Sequence, residues 1–546
     1  MKKIQFQLAD ALEKVFPERL PREFTQREIS IFLQEQYSFQ IAYHSKADTS
    51  DYINIDIITN KGIETTISKV EKVPSNLPAY PDNFDDNYIT TTPGLLPDLL
   101  LPAENNRMEL EKDGWNALWV DLKAHSGAGL NTVVIKITDL EGKELWNEQL
   151  SLWVIPHSLP KQKLIHTEWF HTDCLADYYG VGAFSDEHWR IVENFVKTAS
   201  ENGINMILTP VFTPPLDTEV GGERTTVQLV KITYDQNKYH FDFSLLKKWL
   251  EMCKRNGIQY IEIAHLFTQW GAEFAPKIIV KENGEYIRKF GWDIAADSKL
   301  YKEFLSAFLP ALTEFLHENW DSEKVYFHIS DEPNEGNVET YKKAKEIAEP
   351  YLEGFHIIDA LSDYSFYKNG IVRKPVVANS HIDEFIKHGV PNLWTYYCCG
   401  QTKFVSNRFM AMPSARTRII GTQLFKYDIE GFLHWGYNFY NSQLSKQKIN
   451  PFEITDAINA FPSGDAFLVY PGENGTPLAS IRLRVFAQAL QDMRAFQWLA
   501  ELKGKQYVID LMEKEQSITF SEYPIEADYL LDLREVVNEE IAKVLD

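Results

Sequence analysis

Two acidic residues stand side by side in FHISDEP (327–333): Asp331 and Glu332 follow an apolar run and precede a proline that stops it. Like charges held together push one pKa upward, which keeps a carboxyl protonated near neutrality and able to serve as a general acid. Glycoside cleavage needs such an acid to protonate the leaving oxygen. Most glycosidases hold two carboxylates about 5 Å or about 6.5–9.5 Å apart across the bond, a gap that sequence neighbours span poorly. An adjacent pair suits the substrate-assisted route better, in which the sugar's own 2-acetamido oxygen attacks the anomeric carbon. Asp331 would then orient and stabilise the acetamido N–H while Glu332 acts as acid and then as base. The plainer alternative is that SDEP is a helix N-cap with an acidic first turn.

What must position this pair is legible in the periodicity. Beyond residue 163, apolar runs alternate with helical stretches, and eight runs can be counted: 163–172, 204–212, 260–267, 324–333, 355–363, 375–380, 393–399 and 431–439. Eight alternations without a GxGxxG after any strand point to a (β/α)8 barrel rather than an open doubly wound sheet. The working face of such a barrel is the C-terminal end of its strands, and the acidic pair ends the fourth. Before the barrel, short alternating runs such as YSFQIAYHS and TVVIKITD imply an antiparallel β-sandwich. The expected division is a sandwich over 1–157, a linker HSLPKQK (157–163), the barrel over 163–504 and a helical appendage over 505–546. The proline-rich stretch 73–102 is expected to form no regular element, wrapping the sandwich or packing on its neighbour.

Other strand ends supply further candidates. LWTYYCC offers Trp394 with Tyr396, or Tyr397 alone, since alternate residues share a face; a tyrosine hydroxyl could hold an acetamido carbonyl, although aromatics in barrel strands commonly pack. Strand eight ends in His434, Trp435, Tyr437 and Asn438, a mixture suited to lining a sugar pocket. The first strand carries His166 and Glu168, whose spacing superficially suits a metal but lacks a third ligand, so sugar hydroxyl binding is the better reading. The loop 213–229 brings Asp217 and Arg224, to bind sugar or to pair with each other. His265, Gln269, Trp270 and Trp292 follow strand three and would build the leaving-group side of a cleft, or serve structure.

Composition agrees with a carbohydrate partner. The chain of 546 residues is 44% hydrophobic and 24% charged, as in soluble globular proteins. Its net charge of −23 repels phosphate backbones and anionic lipids, so neither nucleic acid nor membrane is an expected partner. Aromatics reach 13%, and such rings can stack on sugars. The four cysteines show no CxxC spacing, and neither a metal nor an organic cofactor is called for. With Asp10, Glu13 and Lys14 where a secretory signal would be apolar, a cytoplasmic location is expected.

A resemblance sharpens these readings. PGLLPDLLLP (93–102), HTEWFHTDCLADYYGV (166–181), ILTPVFTPPLDTEVGGERTTVQLV (207–230), HLFTQWGAEFAPK (265–277), FGWD (290–293), FHISDEP (327–333), LWTYYCCG (393–400), GFLHWGYNFYN (431–441) and GDAFLVYPGENGTPLASIRL (464–483) resemble glycoside hydrolase family 123 and the wider family sharing its catalytic domain. The resemblance spans roughly residues 90–490. It implies a retaining exo-β-N-acetylhexosaminidase favouring N-acetylgalactosamine, with Asp331 as stabiliser and Glu332 as acid/base. Two other readings stay open at this point: a glycosidase on a sugar without an acetamido group, pairing Asp331 or Glu332 with a distant carboxylate such as Glu168 or Glu262, and a non-catalytic carbohydrate-binding protein.

Overall fold

Period-two alternation folds the N-terminal part into two five-stranded sheets. In the computed structural model, which describes all residues except 1–3, 25, 46–51, 104–105, 113, 334 and 546, the first sheet runs Ile4–Asp10, Gln36–Ser45, Trp115–Ala124, Ile63–Ser75, Gly94–Pro102. The second runs Glu28–Leu33, Glu144–Ser158, Gly129–Asp139, Tyr52–Ile58, Arg107–Glu109. The pairs are antiparallel except that Glu28–Leu33 lies parallel to Glu144–Ser158. Inward residues such as Ile41, Leu118, Val120, Ile135 and Leu152 are fully buried between the sheets.

The proline-rich stretch needs a correction. Its two ends are strands, Val73 to Ser75 finishing one and Gly94–Pro102 forming the next. The prolines are tolerated because Gly94–Pro102 is the sheet's edge, where a missing N–H faces no partner, and its register with Ile63–Ser75 shifts at Glu71/Lys72. Only the middle is irregular, and it packs on the barrel. Ile89 N–H donates to the Ala411 carbonyl at 2.8 Å, the Tyr88 hydroxyl donates to the Thr402 carbonyl at 2.9 Å, and Arg416 grips Asp85 with two bonds of 2.7 and 2.8 Å.

After the linker the period lengthens and helices alternate with short parallel strands. Ile165–Glu168, Met206–Thr209, Tyr260–Ile263 and Val325–Phe327 descend one side of a nine-stranded sheet; Gly431–His434, Trp394–Tyr396, Pro375–Ala378 and Asp359–Leu361 descend the other. His356–Ile357 is the remaining edge strand, separated from Asp359–Leu361 by Ile358 alone. The sheet is therefore a near-closed barrel, and each of the eight apolar runs contributes to it. Its interior holds Ile165, Trp169, Met206, Leu208, Tyr326, Val376, Trp394 and Leu433. Loops after the second and third strands carry an added sheet of Lys231–Asp235, Lys238–Asp242, Ile278–Glu282 and Glu285–Phe290, which period counting had not revealed.

The long helix Ile481–Lys503 closes the barrel, and Arg482 on it holds Asp98 of the sandwich edge strand at 2.8 and 2.9 Å. The terminal helices Lys505–Met512 and Ala527–Leu545 pack against it, and Arg534 binds Asp492 at 2.9 Å and also Glu35 of the sandwich. These buried ion pairs fix how the parts meet, since each charge is costly without its partner. Among the described residues no helix is long and apolar enough to cross a membrane.

Candidate active site

The fourth barrel strand ends at Phe327, but its backbone continues extended beside the segment that follows strand three. His328 and Ile329 accept from the amides of Leu266 and Phe267, and Asp331 accepts from Trp270 at 3.0 Å. Consecutive strand residues point to opposite faces. Here the alternation is broken by Glu332, whose φ of +44° is left-handed, an uncommon state for a residue with a side chain. The turn brings both carboxyls to one cavity of ≈ 120 Å³ at the barrel mouth. Its walls are mostly apolar: Trp169, Leu216, Trp270, Ala360, Leu433, Trp435 and Phe461. Its polar groups include Asp217, Gln269 and Tyr396, with Cys398 and Cys399 beside them.

The Tyr396 hydroxyl donates to Glu332 Oε1 at 2.8 Å. Burial, and then the neighbouring Glu332 charge, push the Asp331 carboxyl well above its ordinary range, while His328 works in the opposite sense. Asp217 is raised to about 6 by burial, against a hydrogen bond from the Leu444 amide and the charge of Arg224. Gln269 donates to the Thr218 carbonyl at 3.0 Å, which leaves its buried Oε1 without a partner among the described residues.

Beneath the pair lies a buried polar clamp. His328 meets Glu262 through Nε2 at 2.5 Å and Asp359 through Nδ1 at 3.5 Å. Burial alone would lower its pKa, but the two carboxylates lift it to about 9, so it stays an imidazolium at neutral pH. Glu262 also accepts from the Thr167 hydroxyl and from the Trp169 indole, which sets that ring in the cavity wall. Asp359 accepts from the amides of Ile329 and Ser330 at 3.0 and 3.3 Å and from the Tyr341 hydroxyl. The backbone leading into the acidic pair is thus tied to a neighbouring strand. Asp359→Ala strands these donors and leaves the imidazolium with Glu262 alone, and a loss of about 3–5 kcal/mol is expected in chemical denaturation. Wild-type stability in that variant would show that the clamp holds nothing in place.

The catalytic-domain model of glycoside hydrolase family 123 matches residues 169–499, more than half of the chain. The chain belongs to glycoside hydrolase family 123. A family 123 enzyme from Clostridium perfringens, described for glycolipid glycan hydrolysis, aligns with a TM-score of 0.71 at 16% identity over 99% of this chain and 97% of that one. At that identity the likeness concerns the fold. A putative beta-galactosidase from Bacteroides fragilis has a TM-score of 0.32 at 10% identity, over 88% of this chain and 60% of that one. A beta-glucuronidase from Parabacteroides merdae has 0.28 at 10%, over 90% and 52%; neither carries an argument. No curated protein sequence matches the chain.

Of the residues singled out in the sequence, this family 123 cavity brings together Asp331, Glu332, Asp217, Gln269, Trp270, Tyr396 and Trp435. The others sit elsewhere, for reasons of strand parity and pairing. In strand one, Ile165 and Trp169 face the barrel interior, so His166 and Glu168 face out. His166 stacks on Phe486 of the closing helix, and Glu168 is locked to Arg408 at 2.7 Å. In strand eight, Leu433 and Trp435 point inward, and His434 turns outward to Arg408 and Asp465. Trp394 does face inward, but it starts its strand and lies deep, bonded to Glu430. Tyr397 faces outward onto Phe432 and His434.

Tyr437 donates to the Phe195 carbonyl, and Asn438 braces the backbone of His171 on both sides. His265 is buried in a stack with His328 and the edge of Trp169. Arg224 does not pair with Asp217: it forms two 2.7 Å bonds to Asp173, and with Trp292 lines a separate small cavity behind the loop. The cavity residues that sequence reasoning left out of the site are Trp169, Leu216, Ala360, Cys398, Cys399, Leu433 and Phe461. Trp169 and Leu433 were recoverable from the opposite choice of parity; Phe461, on a long irregular segment, carries no local signal.

Proposed function

We propose that this family 123 chain is a retaining, exo-acting β-N-acetylhexosaminidase, favouring N-acetylgalactosamine, that uses the 2-acetamido group of its substrate as nucleophile. We read the short strands on either side of Ile358 as one interrupted strand, which makes the barrel an eightfold (β/α)8. The observation that carries the functional reading is that two adjacent carboxyls, Asp331 and Glu332, line one small apolar-walled cavity. The two distant carboxylates first considered for a conventional pair are occupied: Glu168 is held by Arg408, and Glu262 by His328, Trp169 and Thr167. A cavity this small favours one terminal sugar ring over an extended chain. The Clostridium relative's described action makes the end of a glycolipid glycan a candidate natural substrate.

In the proposed reaction the acetamido carbonyl oxygen attacks the anomeric carbon, and the Asp331 carboxylate accepts the acetamido N–H and stabilises the charge that develops on the closing ring. Glu332 protonates the departing oxygen, then takes a proton from the water that reopens the ring, so configuration is retained. Burial favours a proton on Asp331. An arriving N–H donor favours the carboxylate at Asp331, which then receives it. Tyr396, which donates to Glu332, is proposed to hold the acetamido oxygen when the sugar binds. Trp169 and Trp435 supply apolar surface for the ring and the acetamido methyl.

The test is turnover of an aryl N-acetyl-β-galactosaminide together with inhibition by the thiazoline mimic of the cyclised sugar. Both are expected. Turnover that ignores the thiazoline would point to an enzyme nucleophile, and binding without turnover to a carbohydrate-binding protein. Asp217 and the free Gln269 Oε1 are proposed to receive sugar hydroxyls. Asp217→Asn is expected to raise KM by about tenfold with a smaller change in kcat, the loss of one charged hydrogen bond. A collapse of kcat with KM intact would instead make Asp217 the nucleophile.

A further inference from the structure

Strand seven ends at Tyr396, and the chain turns through Cys398, Cys399 and Gly400. Adjacent cysteines within a strand would point to opposite faces. Past the strand end that rule lapses, and both line the cavity that holds Glu332 and Tyr396. Both are half-buried free thiols on consecutive residues. The turn presenting them is pinned: the Cys398 amide donates to Gln401 Oε1 at 2.9 Å, and its carbonyl accepts from Asn407 Nδ2 at 2.9 Å and from the Gln401 amide at 3.1 Å.

We infer that Cys398 and Cys399 form a dithiol site in the cleft that captures a trivalent arsenical as a cyclic dithioarsenite, closing the cavity to sugar. The geometry separates this chemistry from the two ordinary fates of thiols. Neighbouring Cα atoms lie about 3.8 Å apart, short of the usual 4.4–6.8 Å span of a disulfide, so direct S–S closure is strained while a larger bridging atom relieves the constraint. Cys399 beside it and burial hold the Cys398 thiol protonated, well above its ordinary range, which slows alkylation and disulfide exchange because both proceed through the thiolate. Condensation with an arsenic(III) oxide consumes the thiols as they stand. With phenylarsine oxide, two S–H bonds and the As–O bond break and two As–S bonds form. The oxygen leaves as water with both protons, and neither arsenic nor sulfur changes oxidation state. The other cysteines offer no such pair: Cys174 and Cys253 are buried on separate helices.

The experiment treats the full chain with phenylarsine oxide and follows intact mass, peptide mapping and turnover. One adduct per chain is expected on the peptide containing 398–399, stable to excess monothiol, released by 2,3-dimercaptopropanol, and absent from Cys398→Ser and from Cys399→Ser. Peptide mapping of the unmodified sequence makes the result independent of whether either variant folds. Turnover should be lost with the adduct and return with the dithiol. No adduct, an adduct on Cys174 or Cys253, release by monothiol, or full turnover with the adduct in place would each overturn the inference. It depends on the cleft and not on the reaction proposed above. A protein that forms the adduct but never hydrolyses the glycoside refutes that reaction alone.

Discussion

Glu332→Gln is expected to lower kcat by about 10²–10⁴-fold, the usual worth of a positioned acid/base, while the protein remains folded. The loss should depend on the leaving group. An acidic phenol departs with little help, so for a dinitrophenyl glycoside the first step survives and the defect sits in opening the cyclised intermediate, where Glu332 must activate water. An alkyl or sugar leaving group needs the proton itself, and for it both steps suffer. Plotting the logarithm of kcat/KM against leaving-group pKa should give a steeper slope for the variant than for the parent. A uniform loss across the series would mean that Glu332 positions the sugar and donates nothing. Its left-handed backbone is part of the design, since a regular strand would turn one of the two carboxyls out of the cavity.

Asp331→Asn should cut kcat by about 10²–10³-fold, comparable to removing one preorganised stabilising group, and at the same time make the protein more stable. The amide can still accept the acetamido N–H, but it brings no charge to meet the cation that forms, so thiazoline affinity should fall with kcat. The stability gain follows from the raised Asp331 pKa. Above the unfolded-state value of about 3.9 the unfolded chain has released this proton while the native state retains it. The native state binds more protons there, so the parent's stability falls as pH rises from about 4 toward the elevated native pKa. The variant lacks that descent. Its melting temperature should therefore exceed the parent's by a margin that grows with pH. A lower melting temperature at every pH would attribute the lost activity to damaged folding and remove Asp331 from the mechanism.

Much of this molecule could be read along the chain because the signals are local. The change from period two to alternating apolar and helical runs marked where the sandwich ends and the barrel begins, and each of the eight apolar runs holds a barrel strand. Asp331 and Glu332 stood out because two carboxyls in a row after an apolar strand are a local feature. The added four-stranded sheet escaped because its hairpins sit inside loops whose composition says only that they are long.

What the chain could not declare is parity. A strand of period two offers two equivalent faces, and nothing in HTEW or FLHW states which one the barrel will enclose. The interior took Trp169, Leu433 and Trp435, whose bulk fills it, and His166, Glu168 and His434 went with the opposite face to the helix layer and to Arg408. The partner of a buried charge is equally non-local: Arg224 had Asp217 seven residues away, yet folding gave it Asp173 from the first turn of the helix Thr172–Tyr179 and left Asp217 to the cavity. The sequence by itself determined the alternating architecture and the adjacent acidic pair, because periodicity and adjacency are properties of the chain. The walls of the cleft, the clamp under the acids and the two thiols at its side were decided by tertiary structure, because each depends on which face of one strand meets which loop of another.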